Sequence, residues 1–344
     1  MSDPADRAPA DGAPDDRPSD DRASQRSSRR ARQRADFDAT VADIEAQVRA
    51  TNAKIEAQVR ATNAIIEERT GRNLVAAIAI GIVFGGAFIA SLIFLTWIFM
   101  IFAAVIMVFL ALELTSAFRA SGRNVPRIAS AISAAGVIVA TFYWHSRGQW
   151  LILLAGMGLV TIWRLIEATI PSRRKPVGEL GIDILAGLFI QAYAIFLGSF
   201  TVLMASNQDS HLWVLGVLIV VVSTDTGAYA TGLLIGKHKM APRISPKKTW
   251  EGFGGSIVAA QIASFLVGWL LLYISVLDGV IFGLAIALTA TIGDLVESLI
   301  KRDLGIKDIS NWLPGHGGFL DRLDSVLPSA AVAYALFLIF HGAG

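Results

Sequence analysis

The sequence predicts an all-α fold: a polytopic integral membrane helix bundle of about nine transmembrane helices, preceded by a disordered and then helical N-terminal cytoplasmic tail. Three observations predict it. Of 344 residues, 54% are hydrophobic and only 17% charged, at a mean hydropathy of +0.56, whereas a soluble domain has roughly a quarter of its residues charged. The charge is uneven, since residues 1–73 hold 13 of the 30 Lys and Arg and 14 of the 28 Asp and Glu. From Leu74 onward, apolar runs of roughly 17–25 residues, the length that crosses a bilayer, follow one another to the C-terminus.

Composition also excludes function classes. The net charge is only +2 and basic residues alternate with acidic ones, so there is no contiguous footprint for duplex DNA or RNA and no nucleic-acid partner is expected. The absence of cysteine removes disulfides, thiolate metal sites and a Cys nucleophile. Because the first apolar run follows more than seventy polar residues, no cleavable signal peptide is expected, and the first membrane helix serves as its own signal.

Taken in chain order, residues 1–43 read as a disordered polar tail. The first 35 are almost entirely Asp, Arg, Ser, Pro and Ala, without one aromatic or branched aliphatic side chain, and cannot bury enough surface to offset chain entropy. Residues 44–70 contain an eleven-residue repeat, IEAQVRATNAK from Ile44 and IEAQVRATNAI from Ile55. That period places Ile44, Val48, Ile55, Val59 and Ile66 on one helical stripe. Such a helix is either a short self-association element or a solvated stalk.

The N-terminal membrane region, 74–210, holds expected spans at 74–92, 95–114, 126–144, 150–168 and 181–204. The C-terminal region, 211–344, holds spans at 211–234, 252–273, 278–300 and 326–341 and carries the chemistry. With the tail in the cytoplasm, fifteen basic residues of the connecting loops fall on that side: Arg119, Arg123, Arg127, Arg173, Arg174, Lys175, Lys237, Lys239, Arg243, Lys247, Lys248, Lys301, Arg302, Lys307 and Arg322. The opposite loops contain only Arg147. The N-terminus is therefore expected in the cytoplasm and the C-terminus on the far side.

Ionisable residues inside spans point to function. Glu113, Arg164, Glu167 and Asp183 lie near cytoplasmic span ends, where they read as interface anchors or local ion pairs. The last third differs, with Asp225 in one apolar helix, Asp294 and Glu297 in another, and Asp321 and Asp324 just before the last span. An unpaired charge at mid-bilayer costs roughly 2.5–3.5 kcal/mol, so this cluster requires cations. Residues three apart share a helix face, and carboxylates without thiolates suit a hard ion such as Mg²⁺, alone or with a second cation, whose shell substrate phosphates complete. Ion pairing with Lys301 or Arg302 is the alternative. Two stretches, Gly236–Gly252 and Pro314–Gly318, combine Lys and His donors with glycines that let backbone N–H groups approach an oxyanion. Together these features suit a metal-bound nucleoside triphosphate, although no Walker A sequence is present.

These stretches resemble a family. SLIKRDLGIKDISNWLPGHGGFLDRLDS (Ser298–Ser325), DTGAY (Asp225–Tyr229), GKHKMAPRISPKKTWEG (Gly236–Gly252) and GDLVES (Gly293–Ser298) resemble the phosphatidate cytidylyltransferases, or CDP-diacylglycerol synthases. The resemblance covers about Ser223 to Ser325 with no motif missing. It extends to 74–210 only as hydrophobic spans and to the tail not at all. It implies condensation of CTP with phosphatidic acid to CDP-diacylglycerol and pyrophosphate at the cytoplasmic face of the membrane, by a homodimer embedded in lipid; the Asp-, Arg- and Ala-rich composition of the tail points to a bacterium, and so to its plasma membrane.

On that reading Asp294 and Asp321 are the leading metal ligands, with Asp225, Glu297 and Asp324 as further ligands or their supports. Lys301, Arg302 and His316 join Asp294 and Asp321 as candidates for catalysis. Ser245, Lys247, Lys248, Thr249, Lys307, Gly317, Gly318 and Arg322 are candidates for binding the triphosphate and the lipid phosphate. His316 either bonds a phosphate or holds its loop. Trp250 and Trp312 read as interfacial anchors rather than cytosine stackers. The rival readings are a CTP-dependent polyprenol or dolichol kinase, a cation transporter using the intramembrane carboxylates, and an inactive scaffold.

Overall fold

A computed structural model describes residues 85–171, 174–207, 210–306, 308–310, 312 and 318–342, together with Thr51 and Lys54. The expected disordered tail, nearly all of the repeat segment, most of the first expected span and Arg173 lie outside the described residues.

The chain runs as α1 (Gly85–Phe94), α2 (Thr96–Ala120), α3 (Arg127–Thr169), α4 (Val177–Ala205) and α5 (His211–Ile235). A two-stranded hairpin of β1 (Lys239–Ala241) and β2 (Ser245–Thr249) follows. Then come α6 (Trp250–Leu272), α7 (Val276–Asp303) and α8 (Leu320–His341). Seven of these helices, α2 to α8, are long and apolar enough to cross a membrane.

One of the seven is folded double. The 43 residues of α3 are interrupted at His145, whose φ of 51° and ψ of −139° are incompatible with helix, and the chain reverses there. Gly136 packs on Ile152, Gly148 on Ala140 and Gly156 on Ser133, the pairing of an antiparallel helical hairpin. Its arms correspond to the separate spans expected at 126–144 and 150–168.

Apolar side chains point both ways, as a lipid-embedded bundle requires. Phe99, Leu110, Leu114, Ile138, Ile190, Ile195, Trp213 and Phe282 are buried between helices. Phe94, Leu151, Val222, Val258 and Trp269 face outward, each more than half exposed. Trp213 anchors the C-terminal half, packing edge-to-face on Phe282 and Phe337.

Between lipid-embedded helices the hydrophobic effect is weak, so small residues and interhelical hydrogen bonds set the packing. α5 and α6 approach most closely where Gly227 meets Ala259, Gly232 meets Thr249, and Gly255 meets Thr231. In the N-terminal half, Ser133 donates to Gln191 across 2.7 Å and Gln149 to Ser199 across 2.7 Å. Gln191 opens a π-helical turn, Gln191–Phe196, inside α4.

Among the described residues the β-hairpin is the one departure from an all-helical body. Reading Gly236–Gly252 as a loop with free N–H donors for an oxyanion misses it. Glu251 accepts the backbone N–H groups of Lys237 (3.0 Å) and His238 (3.1 Å), and its carboxylate meets His238 Nδ1 at 2.6 Å. Those donors are committed to folding the loop. Gly236, for its part, lies against Gly232 and Thr249, where a Cβ would not fit.

Candidate active site

The described parts of the charged motifs meet at one end of the bundle. Contacts tie together its connections: Lys175 Nζ reaches Gly122 O at 2.8 Å, Lys248 Nζ reaches Thr291 O at 3.3 Å, and Arg302 Nε reaches Ile244 O at 3.3 Å. Arg147, beside the reversal in α3, belongs to the opposite end of the hairpin from Arg127.

The centre is built by α7 and α8. Asp294 and Glu297 lie one helical turn apart on α7 and point to the same side. Gly293 lets α8 come against that side, because a Cβ there would strike the Asp324 backbone and the Pro328 ring. As a result Asp294, Glu297 and Asp324 each present a carboxylate oxygen within 4.8 Å of the others. Glu297 is 2% exposed and Asp324 9%.

Two lysines border this triad. Lys248, at the end of β2, pairs with Asp294 at 2.7 Å. Lys301 pairs with Glu297 at 2.7 Å, one turn along α7, and with Asp321 at 3.1 Å. Even so, Glu297 Oε1 is buried without a hydrogen-bond partner. Like charges gathered in a low-dielectric setting with too few cations make a fitting cradle for a hard divalent ion.

The remaining expected residues divide into groups. Asp321 stands beside the triad, held by Lys301 and by the Gly318 N–H at 2.8 Å. Asp225 is exposed on α5 and interacts electrostatically with Asp294 and Lys248. Thr249 is 5% exposed and caps α6, accepting the Gly252 N–H at 3.1 Å. Arg302 braces the β-hairpin through Ile244. Ser245 is half-buried, while Lys247 and Arg322 are exposed. Lys307, His316 and Gly317 lie outside the described residues.

Sequence reasoning placed Glu113 among anchors and ion pairs, and the structure gives it a different task. Fully buried on α2, it accepts hydrogen bonds from the N–H groups of Phe319 (3.1 Å) and Leu320 (2.9 Å) and from the Ser310 hydroxyl. A carboxylate from one helix thus caps the N-terminus of another, satisfying donors that α8 cannot satisfy itself. Gly318 lies against the Glu113 carboxylate, where a Cβ would collide with it. The signal in the sequence was the cost of a carboxylate inside a span. Its partners, 206 and 207 residues away, could not be read from spacing.

A helical membrane bundle with carboxylates and lysines converging at one end defines the class, an integral membrane protein with a charged centre at one end of its helices. The comparisons make this specific. Residues 75–340 match the Cytidylyltransferase family, and the chain belongs to it. It is 38% identical over 283 residues to the phosphatidate cytidylyltransferase of Mycobacterium leprae, covering 79% of this chain and 89% of that one. It is 36% identical over 282 residues to the phosphatidate cytidylyltransferase of Mycobacterium tuberculosis strain H37Rv, covering 79% and 84%. The phosphatidate cytidylyltransferase of Brucella suis is 37% identical over 155 residues, 45% of this chain and 57% of that one.

Proposed function

We propose that this protein condenses CTP with phosphatidic acid to give CDP-diacylglycerol and pyrophosphate, with Asp294, Glu297 and Asp324 holding the divalent cation, Mg²⁺, that the reaction uses. The observation that carries the reading is the triad within 4.8 Å, flanked by Lys248 and Lys301 at the end of the bundle where the basic loops converge. The family and the relatives named for this activity support it.

In the reaction an oxygen of the lipid phosphate forms a bond to the α-phosphorus of CTP as the bond to the bridging oxygen of the β-phosphate breaks. A phosphate monoester is largely ionised at neutral pH, so the nucleophile needs no general base from the protein. The difficulty is electrostatic, because two polyanions must approach in line. A bound divalent cation supplies neutralisation of that charge. Lys248 and Lys301 are held by Asp294, Glu297 and Asp321 at the edge of the triad, where, with the carboxylates holding a cation, their ammonium groups would be available to phosphate oxygens. Asp321, fixed by the Gly318 N–H, keeps Lys301 near the centre.

The same reading places the site and the N-terminus in the cytoplasm, supported by the concentration of basic residues at this end. The membrane is a bacterial plasma membrane, and the assembly in it is a homodimer.

The deciding experiment is pyrophosphate release by the detergent-purified chain given CTP, phosphatidic acid and Mg²⁺. Metal-dependent release together with CDP-diacylglycerol is expected, abolished by EDTA. Formation of CDP and a polyprenyl phosphate instead would move the activity to a lipid kinase. Nucleotide-independent cation flux in proteoliposomes, without either product, would favour a transporter.

A further inference from the structure

Among the buried side-chain atoms of the described residues that lack a hydrogen-bond partner are Glu297 Oε1 and the hydroxyl of Tyr193, beside Gln191 Nε2 in the same turn as the tyrosine. Tyr193 comes from α4, in the N-terminal half, outside every motif that carries the family resemblance. Its ring stacks on Phe189 with centroids 5.3 Å apart and planes within 8°, which fixes its direction. Helical side chains lean toward the N-terminus of their helix, so Tyr193 leans toward the half of α4 that carries Asp183. The ionised groups that act on the Tyr193 hydroxyl are Asp324, Glu297 and Asp294, the three members of the triad. Tyr193 also sits in the π-helical turn Gln191–Phe196, an irregularity that recurs at functional sites.

A buried phenol within electrostatic reach of three carboxylates and hydrogen-bonded to none of them is a donor waiting for an acceptor. Glu297 Oε1, buried without a hydrogen-bond partner and crowded by the neighbouring Asp321 carboxylate, calls for a cation or a proton. A phosphate oxygen carried on a divalent cation satisfies both, the oxygen toward Tyr193 and the metal toward Glu297. We propose that Tyr193 is a further substrate-binding residue, its hydroxyl donating a hydrogen bond to a phosphate oxygen bound at the triad. This inference rests on the reading of the triad as the metal and phosphate centre. The oxygen belongs either to the lipid phosphate or to the α-phosphate of CTP, and the kinetics separate the two.

The test is Tyr193→Phe in the full-length, detergent-purified protein, beside Asp294→Asn. Losing a hydrogen bond to a charged oxygen lowers kcat/KM by roughly 10- to 100-fold. If the lipid supplies the oxygen, KM for phosphatidic acid rises while KM for CTP holds. If CTP supplies it, the pattern reverses, and a fall confined to kcat puts the bond in the transition state. Equilibrium binding without turnover gives an independent reading: with Mn²⁺ present, affinity for phosphatidic acid alone or for CTP alone falls by a similar factor. Mn²⁺ affinity itself, followed by its EPR signal without substrate, stays within about twofold, and the melting temperature is unchanged because Phe keeps the stacking on Phe189. Wild-type kinetics and wild-type substrate affinities for Tyr193→Phe would overturn the proposal, as would a loss confined to Mn²⁺ affinity. An inactive Asp294→Asn beside a wild-type Tyr193→Phe sinks only the tyrosine, whereas a fully active Asp294→Asn sinks the triad reading beneath it.

Discussion

The two halves of the membrane body bury charge in opposite ways. In the N-terminal half, Arg164 and Asp183 are both completely buried and paired at 2.8 Å, and Asp183 also takes Lys175 at 3.2 Å and the Asn124 N–H at 2.9 Å. That carboxylate is fully compensated and ties α3, α4 and the loop after α2 together. In the C-terminal half, Asp225, Asp294, Glu297, Asp321 and Asp324 gather around two bonded lysines, Lys248 and Lys301. What separates a structural cluster from a functional one here is residual charge, not burial. In the first cluster the carboxylate is matched by two cations within the protein, although Arg164 Nη1 keeps no hydrogen-bond partner, and in the second the carboxylates outnumber the lysines that pair with them.

The sharpest way to break this comparison is to change the charge at the uncompensated cluster. Asp294→Asn removes one member of the triad and the partner of Lys248 while keeping the side-chain shape. Losing a charged group that positions metal and phosphate is expected to lower kcat/KM by about a thousandfold or more and to weaken Mn²⁺ binding, with the fold intact by circular dichroism. Near-wild-type pyrophosphate release would remove Asp294 from the centre. Gly293→Ala tests the same cluster by geometry: forcing α8 away from α7 should separate Asp324 from the other two carboxylates and weaken the same Mn²⁺ signal.

Next in size is the polar strut that Glu113 extends from the N-terminal half to the active end. Glu113→Ala leaves the Phe319 and Leu320 N–H groups and the Ser310 hydroxyl without their acceptor. Buried donors left unmatched cost roughly 1–3 kcal/mol each, and the start of α8, which carries Asp321 and Asp324, is expected to loosen. A 10- to 100-fold fall in kcat, with part of it regained by Glu113→Gln through the remaining carbonyl oxygen, is the expected result. If kcat stays at the wild-type value while the melting temperature drops, Glu113 supports the fold alone.

These residues also mark what the sequence could reveal. The helical membrane class was legible because bilayer thickness imposes one run length, so 126–144 and 150–168 were separable although the structure joins them through His145. The acidic residues of α7 were legible because three-residue spacing on a helix fixes a shared face. The third member was less so: Asp321 and Asp324 are equally acidic and equally spaced, and only the close crossing at Gly293 selects Asp324 for the triad. The role of Glu113 was hidden for a related reason, since its partners lie some two hundred residues away in the chain and no local pattern encodes them. The hairpin at Lys239–Thr249 escaped because Lys- and Gly-rich text reads as a loop until Glu251 is seen folding it back.

The compensated cluster should respond in stability rather than chemistry. Asp183→Leu strands Arg164 in the bundle, and removing one partner of a buried pair typically costs about 3–5 kcal/mol. A lower melting temperature and poorer yield are expected, with kcat of the folded fraction unchanged. Arg164→Met combined with Asp183→Leu should recover much of the stability, because an apolar pair needs no compensation in this setting. A kcat that fell with Asp183→Leu and stayed low in the double variant would erase the distinction between the two halves.

The smallest effect is expected from deleting residues 1–70. The family match begins at residue 75, so the shared chemistry is contained in the body that follows. The removed segment is nearly neutral as well, its basic and acidic residues almost balancing, and so contributes little attraction to an anionic membrane surface beyond what the basic loops already provide. Specific activity and both KM values should remain within about twofold of the full chain in detergent and in liposomes. A tenfold loss would mean that the membrane body, with its one compensated and one uncompensated cluster, is not the whole catalytic unit, and that the repeats from Ile44 onward serve the reaction itself.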